Sequence, residues 1–173
     1  GGMDLIFPHH ENEIAQSESL SHQPLAHFWL HNAFVNINKE KMSKSLGNII
    51  PLKDIVTQKD PMVLRFFYLQ HHYRTPLDFA MDELDASRTA YKKLTGAFDD
   101  ATTNTKTTAT DFAALLATDK NAQALLAALC DDLNTAKFFG LIFEQLSQYK
   151  NNPELAVFAQ SLLKTVLGLT LQP

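Results

Sequence analysis

The sequence predicts a mainly α-helical fold with a short α/β segment near its N-terminus. Apolar residues recur at helical spacing from Asp60 onward, whereas strict alternation of apolar and polar residues is confined to Ala33–Lys41. The 173 residues are 45% apolar and 20% charged, which is typical of a globular protein with a core of its own. The sequence contains no apolar run long enough to span a bilayer and no signal-peptide pattern.

The N-terminal part is predicted to contain two helices and one strand or hairpin. Pro8 fits the first position of a helix that runs to about Ser19, because the amide hydrogen that proline lacks has no helical partner there. Leu25–His31 is predicted to form a short helix, on which His27 and His31 are interpreted as surface or packing residues. The alternation in Ala33–Lys41 predicts a strand or a hairpin.

Two helices are predicted in the middle of the chain. Asp60 followed by Pro61 combines a capping carboxylate with a proline in the first turn, which indicates a helix start. This helix is predicted to continue to about His72, and Pro76 prevents any further extension. A longer helix is predicted from about Asp82 to Phe98, because Leu84, Tyr91, Leu94 and Phe98 form an apolar stripe at helical spacing.

The C-terminal part is predicted to be a small helical bundle that follows an exposed connector. Residues 101–110 contain six threonines and no apolar period, which indicates a linker. Helices are then predicted at Asp111–Thr118, Asn121–Cys130, Asn134–Tyr149 and Pro153–Leu167. Gly168 fits the end of the last helix. The residues from Asp131 to Thr135 join two of these helices, and Asn134 is interpreted as a cap in preference to a contact with nucleic acid.

The net charge limits the classes of binding partner, and the cysteine content indicates the redox environment. The net charge of −4 argues against a surface that is generally coated by nucleic acid, so such a partner would need a local basic patch. Residues 39–59 supply one candidate patch with five lysines. Cys130 is the single cysteine, which excludes an internal disulfide and agrees with a reducing cytoplasm.

Residues 40–48, EKMSKSLGN, form the most informative motif. Lys41 and Lys44 stand three residues apart among small residues and close to Gly47. Small side chains let the backbone approach a ligand, and ammonium groups neutralise charge that develops during phosphoryl chemistry. This composition therefore suits a loop that closes over a polyphosphate, and the alternative is a solvated basic turn.

Residues 1–17, GGMDLIFPHHENEIAQS, form a second motif. His9 and Glu13 are four residues apart and share one face of the predicted helix. Zinc accepts both an imidazole and a carboxylate, but two ligands do not complete a site, and a surface pair is the alternative. His10 lies off that face, where its ring either faces a substrate or bonds a nearby carbonyl.

These motifs resemble those of the cysteinyl-tRNA synthetases, a family of class I aminoacyl-tRNA synthetases. Residues 41–45 are similar to the KMSKS signature of the class, and residues 1–17 resemble the family pattern GGxDLxFPHHENEIAQS. Residues 73–79 and 131–135 also follow the family, so that the resemblance spans almost the whole chain. Mycothiol-pathway cysteine ligases share the loop and the double histidine but depart from the ENEIAQ continuation.

The resemblance implies four residues at an ATP site. Lys44 is expected to contact ATP and to act as the principal catalytic residue, with Lys41 as a second catalytic residue that contributes electrostatically. Gly2 and Asp4 are similar to a glycine and an aspartate that contact the adenosine ribose, since glycine admits the ligand and the carboxylate accepts from a hydroxyl. ATP with Mg²⁺ is the implied substrate.

The resemblance also implies a site that binds the substrate cysteine. His9 and Glu13 correspond to two zinc ligands that the family completes with two upstream cysteines. The zinc ion binds the thiolate of the substrate and thereby selects cysteine over serine. His10 is expected to face this substrate pocket. Neither the two cysteines nor the family's HIGH motif has a counterpart in residues 1–173, so zinc is expected to bind weakly or not at all to this chain alone.

The implied fold is the C-terminal piece of a Rossmann-type catalytic domain followed by a connecting helical segment and a small helical bundle. The expected division places the end of the catalytic domain at 1–50 and a stem-contact segment at 51–100. The linker occupies 101–110, and the bundle on the tRNA-binding side occupies 111–173. The chain is interpreted as the C-terminal part of such an enzyme and is expected to be inactive alone.

The function that the resemblance implies is cysteine–tRNA ligation in the cytoplasm, with no membrane partner. Cysteine and ATP give cysteinyl-adenylate, and the cysteinyl group is then transferred to tRNA(Cys). Two alternatives stay open: a non-catalytic helical module that binds tRNA or a protein, and a cysteine ligase that acts on a small amine. A HIGH motif and a cysteine pair encoded upstream of Gly1 would distinguish the tRNA ligase from the non-catalytic module. An assay of which acceptor is charged would distinguish it from the amine ligase.

Overall fold

The computed structural model describes the backbone of residues 1–37, 40–41, 50–102 and 111–171, and their side chains except at 40–41 and 100–102. The chain divides into two compact units. We call Gly1–Ile49 with Tyr73–Ala80 the sheet unit, and Ile50–His72 with Met81–Pro173 the helical unit. The fold is mainly α-helical, as the sequence predicts. No helix among the described residues is long and apolar enough to cross a membrane.

The sheet unit combines one helix with a three-stranded sheet. Its elements are α1 Glu11–Ser21, β1 Val35–Ile37, β2 Glu40–Lys41 and β3 Leu77–Phe79, with strand order β2-β1-β3. Strand β1 pairs antiparallel with β2 and parallel with β3, so that Asn36 lies opposite both Lys41 and Asp78. The hairpin predicted within residues 33–41 is confirmed. Strand β3 was not predicted, because its three residues directly after Pro76 are too few to show a periodic pattern.

The start of the first helix agrees with its prediction. Ile6–His10 forms a π-type turn that leads directly into α1. Within this turn only Phe7 departs from helical dihedral angles, with φ −127° and ψ 132°. Continuous helical backbone therefore begins at Pro8, where a missing amide hydrogen costs no helical bond. The helix ends at Ser21, two residues beyond the predicted end.

The helix predicted at Leu25–His31 is wrong. The segment is non-helical, and its neighbour Asn32 pairs with the N-terminal residues instead. The amide of Asn32 donates to the carbonyl of Gly1 at 2.8 Å, and its carbonyl accepts from the amide of Met3 at 3.0 Å. Phe28 is 85% exposed, so no buried apolar stripe stabilises a helix here. Seven residues without such packing are too few for a stable helix.

The helical unit contains seven helices within the described residues. They are α2 Leu52–Val56, α3 Pro61–Leu69, α4 Met81–Thr102, α5 Phe112–Thr118, α6 Lys120–Cys130, α7 Thr135–Gln145 and α8 Pro153–Ser161. Every helix predicted from Asp60 onward is present, although α3 and α7 end three and four residues early. Helix α2 was not predicted because its five residues carry no usable period. The predicted connector lies outside the described residues except for 101 and 102, which belong to α4.

The core of the helical unit is rich in aromatic rings. Phe66 meets Phe139 edge to face with ring centroids 5.0 Å apart, and Phe98 stacks on Tyr149 at 4.9 Å. Such pairs add directional attraction to the burial of apolar area. The stripe predicted on α4 is buried, and its members are Leu84, Tyr91, Leu94 and Phe98. Burial raises the pKa of the Tyr149 hydroxyl far above its ordinary value, so this side chain is neutral.

The final helical segment ends at Gly168, as predicted. After α8, Leu162–Val166 continues as a π-type turn, and Gly168 then adopts a left-handed φ of 64°. The guanidinium Nε of Arg65 donates to the carbonyl of Leu167 at 2.7 Å. A cation at the C-terminal end of a helix satisfies a carbonyl that has no helical partner and opposes the negative end of the helix dipole.

We expect Asp60→Ala to lower the free energy of unfolding by about 1 kcal/mol, the usual value of a capping side chain. The Asp60 carboxylate accepts from the Met62 amide at 2.8 Å and so satisfies one of the free donors at the start of α3. Urea denaturation followed by circular dichroism measures the loss. Asp54→Ala is the matched control, because Asp54 is exposed and makes no capping bond in α2. Equal losses in the two variants would contradict the capping role.

Candidate functional site

The candidate residues that the structure describes lie in the sheet unit, close to the N-terminus. Gly2 forms a parallel bridge with Asn32, which places the start of the chain beside the segment that leads into β1. A Cβ atom on Gly2 would overlap the Oδ1 atom of Asp4. The absent side chain of Gly2 therefore leaves space for the Asp4 carboxylate, and the two residues predicted to contact a ribose lie together.

His9 and Glu13 are both exposed and lie four residues apart on continuous helical backbone. Their imidazole and carboxylate are donor types that zinc accepts, and a tetrahedral site needs two more. Within the described part of the chain, no group of three His, Cys, Asp or Glu side chains is arranged to hold a metal ion. The residues present thus fit one half of a zinc site.

An open groove runs beside this half-site. Glu13 lines it together with Gln16 and Ser17 from the same helix and Leu25 from the segment that follows. Gln16 and Ser17 are three and four residues after Glu13, so the three side chains share one face of α1. Leu25 is held in place by its amide, which donates to the Glu18 carboxylate at 3.2 Å.

His10 is half-buried and forms a cluster with two other rings. Its Nδ1 atom lies 2.8 Å from the Nε2 atom of His31, and its ring centroid lies 5.4 Å from that of Trp29. Trp29 in turn stacks on His31 with planes only 9° apart. The partner of His10 is thus a second imidazole, and its ring makes no hydrogen bond to a carbonyl of the described residues.

Sequence reasoning missed His31 and Trp29 as neighbours of His10. It placed both on a helix that does not form, where His31 shared a face with His27. In the structure His27 is exposed, whereas His31 is half-buried beside His10. Four-residue spacing was the wrong signal, because the segment is non-helical and the pairing of Asn32 brings its neighbour His31 to the N-terminal residues.

The electrostatic surroundings of His31 disfavour its protonation. Removal from water lowers the pKa of His31, and the nearby His10, the amino group of Gly1 and Arg74 lower it further. A hydrogen bond between two imidazoles needs one donor and one acceptor, so at least one of the two rings is neutral. The contact at 2.8 Å therefore depends on pH.

We expect the ring cluster to loosen as the pH falls below the ordinary histidine pKa of 6.5. Because the pKa of His31 is lowered on folding, the unfolded chain binds more protons in this range, and the stabilisation present above it is lost on acidification. Trp29 is the single tryptophan, so its fluorescence between about pH 7.5 and pH 5.5 reports the change. His31→Gln should reduce the transition and His27→Gln should leave it intact. The reverse outcome would contradict the assignment.

The two candidate lysines are described only in part. Lys41 belongs to β2, where it lies opposite Asn36, but its side chain is outside the description. Lys44 lies outside the described residues, as does the rest of the loop from 42 to 49. The roles of Lys41 and Lys44 therefore stay predictions from the sequence motif.

Comparison with known proteins identifies the family. The sequence model of the family described as "tRNA synthetases class I (C) catalytic domain" matches residues 1–89, slightly more than half of the chain. The chain belongs to the cysteinyl-tRNA synthetase family. All seven candidate residues lie inside the part that matches the catalytic domain of these synthetases.

Relatives called "Cysteine--tRNA ligase" match almost the whole chain at about 40% identity. The ligase of Bacillus pumilus is 39% identical over 173 residues, which cover 98% of this chain and 37% of the relative. The ligase of Caldicellulosiruptor saccharolyticus is 41% identical over 181 residues, with 98% and 39% covered. The ligase of Geobacter metallireducens is 45% identical over 150 residues, with 83% and 31% covered. The chain thus spans less than half the length of these synthetases.

Proposed function

We propose that the chain is part of a cysteine–tRNA ligase, which activates cysteine with ATP and transfers it to tRNA(Cys). The observation that carries this proposal is the match of residues 1–89 to the catalytic domain of the class, because that region contains both sequence motifs. The names of the relatives support the same substrate class. We place the enzyme in the cytoplasm, where its tRNA and ATP are available.

The first step joins the cysteine carboxylate to the α-phosphorus of ATP and releases pyrophosphate. In our proposal Lys44 contacts the phosphates and neutralises charge as the new P–O bond forms, with Lys41 as a second cation. Mg²⁺ accompanies ATP as part of the substrate. Positioning of the two reactants accounts for much of the acceleration, and no covalent enzyme intermediate is required.

Gly2 and Asp4 are proposed to hold the adenosine ribose. The carboxylate of Asp4 is exposed and lies against Gly2, in space that a side chain would fill. In this position a carboxylate oxygen accepts a hydrogen bond from a ribose hydroxyl, while Gly2 lets the sugar approach the backbone. Gly2 is extended and Asp4 lies in the 3-10 turn Met3–Leu5 that follows it.

Cysteine selection is proposed to involve His9, Glu13 and His10. His9 and Glu13 would hold zinc together with two cysteine thiolates from outside residues 1–173, and zinc would supply affinity for the substrate thiolate over the serine hydroxyl. His10 would face the substrate with its ring orientation fixed by His31, whose Nε2 atom lies 2.8 Å away. A ring that is held through one nitrogen presents the other nitrogen in one direction.

The remaining residues are proposed to contribute to tRNA binding. Residues 51–100 would form the stem-contact segment and 111–173 the bundle on the tRNA side, joined by the linker 101–110. At a net charge of −4 these contacts would need local basic groups. The lysines between 39 and 59 supply such a group in the sequence.

The proposal is tested by joining residues 1–173 to the part of the Bacillus pumilus relative that precedes its match. We expect this protein to catalyse cysteine-dependent ATP–pyrophosphate exchange and to charge tRNA(Cys), and we expect the chain alone to do neither. Charging of a small amine in place of tRNA would favour the amine ligase. An absence of adenylate formation, with tRNA binding retained, would favour the non-catalytic module.

A further inference from the structure

Two consecutive residues in the left-handed region lie in the turn that joins α6 to α7. Asp132 and Leu133 have φ values of 51° and 53°. Aspartate is tolerated in this conformation, whereas a bulky leucine is strained in it. Leu133 is 43% exposed, so burial of its side chain does not offset the strain. The contacts of the neighbouring residues therefore maintain the turn.

Two of these neighbouring side chains contact the residues that follow α3. The hydroxyl of Thr135 donates to the carbonyl of His71 at 3.2 Å, between residues 64 positions apart. The Oδ2 atom of Asp132 lies 3.8 Å from the Nε2 atom of His72, and the two form an ion pair whenever the imidazole is protonated. Thr135 is buried, and a hydrogen bond is stronger away from water. The turn thus holds His71 and His72 through two side chains.

Helix capping alone does not account for these contacts. Asn134 caps α7, because its side-chain oxygen accepts from the Lys137 amide at 3.0 Å. This is the role that the sequence predicts for Asn134. The capping bond involves neither the Asp132 carboxylate nor the Thr135 hydroxyl, so the contacts of those two groups with residues 71 and 72 have a separate effect.

The residues that the turn holds are followed directly by the sheet unit. The boundary between the two compact units falls after His72. The carbonyl of Tyr73 accepts from the amide of Ala33 at 2.9 Å, immediately before β1. Strand β1 pairs with β3 on one side and on the other with β2, which contains Lys41. Because hydrogen-bonded strands move together, the position of residue 73 affects the whole sheet.

We propose that Thr135 and Asp132 are positioning residues, which fix the point where residues 73–79 enter the sheet unit. The segments 73–79 and 131–135 both resemble the family, and neither has a role of its own in the proposed reaction. Neither Thr135 nor Asp132 is proposed to touch a substrate. The effect on catalysis rests on the proposed function, in which Lys41 on β2 acts on ATP.

Hydrogen–deuterium exchange of single amides in residues 1–173, followed by nuclear magnetic resonance, tests the positioning. The Ala33 amide is the reporter, because it donates to the Tyr73 carbonyl. Thr135→Val removes the hydroxyl at nearly constant volume and should accelerate exchange of this amide at least about threefold, the scale of one lost hydrogen bond. Thr135→Ser keeps the hydroxyl and should restore slow exchange. Leu133→Gly should also keep slow exchange, because glycine accepts the left-handed φ.

Thr118→Val is the matched control. The Thr118 hydroxyl bonds a carbonyl of its own helix, α5, so its loss should leave the Ala33 amide unchanged. Asp132→Asn should act in the same direction as Thr135→Val, whereas Asp131→Asn removes the same charge from the same turn and should have no effect. Unchanged exchange at Ala33 in the Thr135 variant would overturn the proposal. Acceleration confined to α7 would also overturn it, because that pattern indicates a capping role alone.

The effect on catalysis is measured in a protein that joins residues 1–173 to the preceding part of the Bacillus pumilus relative. Thr135→Val should lower kcat of ATP–pyrophosphate exchange about threefold or more and leave KM for cysteine within about twofold, because a displaced Lys41 weakens a contact made in the transition state. Thr135→Ser should restore kcat. A normal kcat in Thr135→Val would overturn the link to catalysis. A joined protein with no activity would contradict the proposed function, and the Ala33 amide would still decide the positioning.

Discussion

Lys44→Ala is expected to lower cysteine-dependent ATP–pyrophosphate exchange by about a hundredfold or more, the scale that follows loss of a charge contact made in the transition state. The protein for this measurement is the one that joins residues 1–173 to the preceding part of a relative. The reason is electrostatic: negative charge is redistributed over the phosphates as the carboxylate attacks, and a neutral alanine leaves it uncompensated. The loss should appear mainly in kcat, since the contact strengthens during the reaction.

Lys53→Ala provides the control for this prediction. Lys53 has the same charge and lies nine residues further along the chain, but it is exposed on α2 and outside the motif. Its removal changes the net charge equally and should leave the exchange rate within about twofold, the range of a screened surface charge. Near-normal exchange in the Lys44 variant, or an equal loss in both variants, would contradict the role of the loop.

The elements predicted correctly are those whose signals are local. Asp60 next to Pro61 specifies a helix start, because the Asp60 carboxylate bonds the Met62 amide and Pro61 has no amide hydrogen to satisfy. Neither feature depends on distant residues. The stripe from Leu84 to Phe98 specifies a long helix because its period repeats over several turns. Gly168 specifies a stop because a left-handed φ favours glycine. Each of these features is recognised from residues that are close together in the sequence.

The elements missed are those fixed by distant partners. Leu25–His31 contains enough apolar residues for a helix, but the segment is non-helical and leads into the pairing of Asn32 with Gly1 and Met3. Strand β3 gains its conformation from a parallel partner about forty residues earlier in the chain. No local pattern records such a partner, because a parallel pair places its two strands far apart in sequence.

The candidate site also combines features that follow from local sequence with features that depend on residues distant in the sequence. The shared face of His9 and Glu13 was predicted from helical spacing, which a local backbone conformation preserves, whereas their role as zinc ligands was implied by the resemblance. The contact between His10 and His31 joins residues 21 positions apart and could not be predicted from the sequence alone. Their roles, and those of Gly2, Asp4, Lys41 and Lys44, stay predictions, since the family match identifies the domain and not the action of each side chain.

Zinc binding is expected to require both His9 and Glu13 together with residues from outside 1–173. The chain alone should contain well under one zinc per molecule, because two ligands leave a tetrahedral ion half coordinated. The joined protein should bind one zinc ion, and His9→Ala or Glu13→Ala should each remove it. Elemental analysis after extensive dialysis measures the stoichiometry directly, without reference to activity.

Two exposed residues of the same unit serve as controls for the zinc prediction. His27→Ala and Glu11→Ala remove the same chemical groups from positions that the His9–Glu13 face does not include, so the metal content should stay at one. Loss of zinc in the control variants would mean that the ligands were assigned to the wrong residues. Stoichiometric zinc in residues 1–173 alone would mean that this chain completes the site with donors of its own, because a half-site cannot retain the ion through dialysis.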